Sequence, residues 1–242
     1  ITSGGGVSIA GESLVAIGLE ADATDTEERF LQDTVVAGSW LNDQSLVQSM
    51  VTGIGEEIRR LIDWGIKFTI NRRAPGHSSG RGVHISGVDM QRALTRIAQQ
   101  AGVSFREDFQ STQLLRCEGA VVGVLGLDRR SGTVESIHGH STVLATGGAT
   151  SNWSLRTAPE ELSGEGQRMA VEAGATLIDM EMMQFLPCCL TAPALWRGLQ
   201  FPWILGPQSG VHAWLMNRFG ERFMARWDPQ RMELATRDMV SA

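Results

Sequence analysis

Tyrosine is absent from all 242 residues, so no phenol is available as a general acid or base. Cysteine occurs three times, as Cys117, Cys188 and Cys189, without CxxC spacing or a paired His-Cys pattern. That excludes a zinc ribbon or a disulfide framework, suits a reducing compartment, and leaves the thiols reading as inert and buried. No apolar run reaches the ~20 residues that span a bilayer, and no basic-then-apolar leader opens the chain. Basic clusters are missing too: 21 Lys and Arg against 27 Asp and Glu leave a formal charge of -6, which excludes the footprint of a nucleic-acid binder.

What is present is a globular composition, 42% hydrophobic and 20% charged, that reads as a soluble, cytoplasmic protein with a substantial core and no metal site. One local grammar recurs three times. "NDQSLVQSMVTGIGEEIRRLIDWG" carries a helical apolar stripe, with Asn42 or Asp43 as cap and Gly65 as stop, followed by "IKF" as a short strand. "VDMQRALTRIAQQAGVSF" repeats it, with Asp89 opening the helix, Gly102 ending it and "VSF" leaving as a strand. "GEGQRMAVEAGATLI" is the third use, stopped at Gly174. Between the second and third lies a meander of Ala120 to Leu127 and Thr133 to Ile137 around the turn "DRRSG", feeding an expected buried strand from Ser141 to Thr146. Alternating helices and strands argue for an α/β architecture. From Cys188 to Trp214, prolines and tryptophans replace helical periodicity, and a second unit is expected there.

Three glycine-rich stretches carry candidate chemistry. "SGGGVS" at residues 3 to 8 and "VLATGGA" at 143 to 149 remove side chains where a backbone must turn tightly or approach a ligand, and the residues alone leave both readings open. In "LSGEGQRMA", Ser163 is a candidate helix cap whose unpaired N–H neighbours would face an anion. Glu165 suits the first turn of any helix.

Taken in order, "SGGGVS", "GHSSGRGVHISG", "VLATGGA", "SGEGQRMAVEAGA", "DMEMMQFLP", "LMNRFGERFMARWDP" and "ELATRDMVS" resemble the flavoprotein subunit family of succinate dehydrogenase, fumarate reductase and L-aspartate oxidase. The resemblance implies a Rossmann-like FAD-binding domain over residues 1–180, a parallel sheet with an antiparallel meander. The start of an inserted substrate-capping domain would follow over 181–242. It implies FAD as cofactor, with Ser3, Gly4, Gly5 and Gly6 along the flavin, Ala145, Thr146 and Gly147 near the adenosine half, and Glu165 in place of the family's usual Asp. Phe109 and Gln110 fall where the family touches adenine, although a half-buried strand accounts for them equally well. The implied activity is hydride transfer between flavin N5 and a small organic substrate, with an unidentified electron-transfer partner. Arg237 in "LATRD" would move the proton, a role that needs a dry site and an adjacent acid because guanidinium resists deprotonation. Arg222 in "GERFM" reads as a structural ion-pair former, and His77 as a loop histidine near the flavin.

The chain departs from the pattern at one telling point. Where the family has Gln-Phe-His-Pro, this sequence has Gln184, Phe185, Leu186 and Pro187, so a polar grip on a dicarboxylate has become a hydrocarbon. A substrate less polar than succinate or fumarate is expected to meet Leu186. Steroid dehydrogenases on a related fold use tyrosines that have no counterpart here. The family's GxGxxG strand would precede Ile1, so an incomplete piece of a longer flavoprotein is expected, one that alone binds FAD poorly. The alternative is a non-catalytic flavin-fold binding or assembly protein.

Overall fold

The computed structural model describes residues 8, 11, 13–17, 22–72, 76–186, 189–199 and 214–241 of the chain. They group into two compact units, one drawn from Ser8–Ile97 and Gln184–Ala242, the other within Ala98–Met183. The expected mixture of helix and sheet is present.

In the first unit, strands β1 (Ser13–Val15), β2 (Thr69–Arg72) and β3 (Gly82–His84) form an antiparallel sheet in the order β1-β3-β2. Helix α1 (Glu27–Ala37) starts where Thr26 accepts the Arg29 N–H at 3.2 Å, and α2 (Gln44–Asp63) where Asp43 accepts from Ser45 N and Leu46 N. The α2 stripe divides: Val47, Val51 and Ile58 are buried while Leu46, Met50 and Ile62 stay exposed. Val47 and Val51 pack with Phe30 and Val35 of α1, and Ile58 packs with Val83 of β3 and with Ala16, the residue after β1. Each such apolar side chain contributes about 2 kcal/mol of burial. Helix α3 (Gly87–Gln100) begins two residues earlier than Asp89, because the Ser86 hydroxyl accepts the Asp89 N–H at 3.3 Å and so serves as the cap.

The second unit is built on β4 (Phe109–Cys117), β5 (Ala120–Asp128) and β6 (Thr133–His138), an antiparallel sheet in that order. Asp128 accepts the N–H groups of Arg130 and Ser131 at 2.9 and 3.0 Å and pairs with both Phe109 and Thr133, which fixes the register on either side. Helix α4 (Glu165–Glu172) is tied to this sheet by Arg168, whose Nη2 donates to the Thr112 carbonyl at 2.7 Å. Two short helices close the other unit, α5 (Met224–Trp227) and α6 (Arg237–Ser241), around buried Met224, Ala235 and Val240.

Four expectations need correction. The strands read in "IKF" and "VSF" are not there: β2 begins at Thr69 and β4 at Phe109. The residue after each stop glycine instead completes a helix ending. Ile66, Val103 and Ala175 donate backbone N–H to Leu61, Ala98 and Ala170 carbonyls at 3.1, 3.0 and 2.9 Å, five residues back. That is the six-to-one bond of a Schellman closure, with a left-handed glycine before it. Ser141 to Thr146, expected as a buried strand, pairs with no strand among the described residues, and Val143 is 88% exposed. An apolar run reads as buried only if sheet neighbours flank it. Among the described residues, moreover, every strand pair is antiparallel. Cys117, expected to be buried, is exposed on β4, and Cys189 is half-buried.

Candidate functional site

The residues assigned to the cofactor divide by location. Ser3, Gly4, Gly5 and Gly6 lie outside the described residues. Phe109 and Gln110 open β4, where Phe109 is half-buried and Gln110 exposed. The Phe109 ring lies across β5 where Gly126 leaves it room, since a Cβ there would sit 2.5 Å from the ring, and the Arg106 guanidinium stands 5.9 Å from the ring centroid. Phe109 thus has a full packing role within the sheet.

Ala145, Thr146, Gly147 and Glu165 are brought together. The turn after Thr146 packs directly on the start of α4, with Gly147 at φ 74° and Gly164 at φ 90°. Side chains at these glycines would collide: a Cβ at Gly147 would lie 2.7 Å from Leu162, and one at Gly166 would overlap the Thr146 hydroxyl. Gln167 spans the junction, donating Nε2–H to the Gly147 carbonyl at 3.2 Å. Ser163 does not cap the helix as the sequence suggested. Gly164 is the N-cap, no side chain caps it, and the Ser163 hydroxyl donates to the Glu165 carboxylate instead. That bond holds the Glu165 carboxyl below its usual range, with Arg168 adding a smaller pull. The junction therefore presents exposed glycine backbone, uncapped helix N–H groups and an ionised acid.

The residues expected on the substrate side meet in the other unit. Arg237 starts α6, and its Nη1 donates to Gln184 Oε1 at 2.7 Å. Ser241, one turn on, shares its single hydroxyl hydrogen between the Arg237 carbonyl of its own helix at 2.7 Å and the Phe185 carbonyl at 3.1 Å. Two bonds thus fasten α6 along the segment that carries Leu186, which is half-buried; Cys188 lies outside the described residues. Gly76 is close to the same helix start, since a Cβ there would lie 3.2 Å from Thr236 Cγ2.

His77 follows Gly76 and belongs to a buried ionic cluster. Arg81, 1% exposed, donates to Asp25 through Nε and Nη2 at 2.7 Å each and to Asp33 through Nη1 at 2.5 Å. Nη1 also lies 2.9 Å from His77 Nδ1, which must accept, since guanidinium has only donors. Burial first, and then Arg81, push His77 below its ordinary range and keep it neutral. Burial would raise the Asp33 carboxyl, but the Ser78 N–H and Arg81 outweigh it and leave it lowered. Arg222 forms an ion pair of the kind expected, and its partner is Glu233. Glu233, 4% exposed, also accepts the Leu215 N–H at 3.1 Å, and the guanidinium above all lowers its carboxyl to about 2.

Sequence reading missed two contributors. Gln184 was visible in its motif, but that it holds Arg237 follows from a contact 53 residues away in sequence. Gln167 carried no signal at all, because a glutamine in a first helical turn suits any helix.

Comparison with known proteins matches the FAD binding domain family over residues 2–242. A fumarate reductase (CoM/CoB) chain from Methanothermobacter marburgensis is 31% identical over 230 residues, covering 91% of this chain and 41% of that protein. L-aspartate oxidase 2 from Ralstonia nicotianae is 33% identical over 227 residues, covering 90% and 41%. Among solved structures, the E. coli quinol fumarate reductase FrdA E245Q superposes with a TM-score of 0.85 at 26% identity, over 97% of this chain and 42% of that one. The chain thus spans about two fifths of the length of the relatives it matches.

Proposed function

The chain belongs to the FAD binding domain family, and on that premise we propose that it forms part of an FAD-dependent oxidoreductase acting on a small organic substrate less polar than a dicarboxylate. Residues 1–180 form the FAD-binding domain and 181–242 open the substrate-capping domain. FAD fits the residues present: the uncapped start of α4 offers N–H donors, Gly147 and Gly148 expose backbone, and no atom beyond the chain neighbours lies within 4 Å of where a Gly148 side chain would begin. Ser3, Gly4, Gly5 and Gly6 line the flavin, Ala145, Thr146 and Gly147 the adenosine half, Phe109 and Gln110 the adenine, and Glu165 accepts from the cofactor. When bound, FAD supplies the hydride-transferring centre at flavin N5.

The observation that carries the enzymatic reading is the bond from Arg237 to Gln184, which seats a fixed cation beside the segment of Leu186. Arg237 is the catalytic residue of this reading, oriented by Gln184; both side chains are exposed here, and the dry surroundings that moving a proton at a guanidinium needs are those the bound cofactor and substrate would supply. Leu186 shapes the substrate end with hydrocarbon, where a histidine would have gripped a carboxylate. Among the described residues no helix is long and apolar enough to cross a membrane. A cytoplasmic location and a separate electron-transfer partner are part of the same proposal; the cysteine usage supports the first, and the description of the fumarate reductase (CoM/CoB) relative as a subunit supports the second.

The test is the full-length protein. It should purify yellow, and candidate reductants or substrates should bleach it; a colourless protein would point to a non-catalytic flavin-fold module. Glu165→Gln should release FAD more readily than wild type. Equal retention would reduce Glu165 to a helix-end residue.

A further inference from the structure

The junction between the glycine turn and α4 contains two polar atoms whose chemistry is unfinished. Gln167 Oε1 and Thr150 Oγ1 are both shut off from solvent, and neither has a hydrogen-bond partner among the described residues. Buried oxygens of this kind are uncommon in folded proteins, because an unmet acceptor forfeits its water bonds without replacement. Flipping the Gln167 amide does not remove the problem. Its Nε2 donates to the Gly147 carbonyl at 3.2 Å, and a flip would set oxygen against oxygen there. The Gly147 contact therefore fixes Oε1 as the orphan. Thr150 leads out of the same turn, whose next residue is tied back by Ser151 N donating to the Leu162 carbonyl at 2.9 Å.

We propose that Gln167 and Thr150 are cofactor-binding residues, each holding a polar atom ready for the adenosine half of FAD. Gln167 Oε1 accepts an N–H or O–H from the adenine amino group or the ribose. The Thr150 hydroxyl, able to accept or donate, pairs with a second polar atom of the same group. This rests on the FAD reading above and adds two residues to it. It also explains why a first-turn glutamine is held across the junction rather than left in solvent.

The test measures FAD and ADP affinity by titration in the full-length apoprotein as wild type, Gln167→Met and Thr150→Val, together with the melting temperature of each apoprotein. Methionine matches the volume of glutamine without its amide, acceptor and donor alike, and valine is isosteric with threonine. One lost hydrogen bond in a buried site should weaken FAD and ADP binding about fivefold to tenfold in each variant. The Thr150→Val apoprotein should melt no lower than wild type, because an orphaned polar atom has been replaced by an apolar one, whereas Gln167→Met also loses the bond to the Gly147 carbonyl and is judged on its affinity. A residue with only a structural role would show the reverse, a lowered melting temperature with unchanged affinity. Unchanged FAD affinity in both variants would overturn the inference alone. Failure of the wild-type apoprotein to bind FAD would overturn the functional reading, and this inference with it.

Discussion

Replacing Gly166 by alanine sets two known effects against each other. Gly166 is the second residue of α4, where Gly→Ala would ordinarily add at most about 1 kcal/mol by reducing unfolded-chain freedom. Here the new Cβ would overlap Thr146 Oγ1 and lie 2.8 and 3.1 Å from Thr146 Cβ and Cγ2. All three side-chain heavy atoms of a β-branched residue are engaged, so no single χ1 rotation clears the space. Overpacking costs about 1–3 kcal/mol, and with this many contacts the upper end applies, leaving a net loss of about 2 kcal/mol. For a protein of 150–250 residues that is a fall of about 4–8 °C in melting temperature. Thermal unfolding followed by circular dichroism measures it, and FAD affinity should fall in parallel as the turn is pushed from the helix. Thr146→Gly with Gly166→Ala should recover most of the stability. A single Gly166→Ala variant at least as stable as wild type would refute the packing argument.

The remaining predictions concern the other unit. Glu233→Gln should destabilise by about 2 kcal/mol at pH 7, because it weakens the pairing of a nearly buried carboxylate with Arg222. The folded-state carboxyl sits at about 2 against an ordinary 4.5, so its contribution is complete above about pH 4.5 and lost as pH falls towards 2. Urea titrations from pH 7 to pH 3 should accordingly show wild type and variant converging at the acid end; a constant gap would contradict this. Arg237→Lys in the full-length enzyme should lower kcat by at least about 100-fold with FAD content unchanged, since an ammonium does not reproduce the planar guanidinium held on Gln184. Wild-type kcat in that variant would remove Arg237 from the chemistry.

Much of the fold is legible because its signals are local. Asp43 caps α2 through N–H groups two and three residues on, and the stop glycines after α2, α3 and α4 act within one turn. The hairpin of β5 and β6 follows from Asp128 and a short turn. Pairing across longer distances was not legible in the same way. The apolar run from Ser141 to Thr146 looks like a core strand, yet whether it is covered depends on neighbours the run does not encode.

The same division holds at the candidate site. The sequence by itself determined the family motifs, the absence of tyrosine and the hydrocarbon at Leu186, because these are matters of residue identity and spacing. Only the tertiary structure decided that Arg237 rests on Gln184, that Arg81 is buried between Asp25 and Asp33, and that Gln167 closes against Gly147 with one oxygen unmet. Each of these turns on a hydrogen bond of about 3 Å between residues 20 to 56 apart in the chain, and a pattern read along a sequence has no measure of that distance.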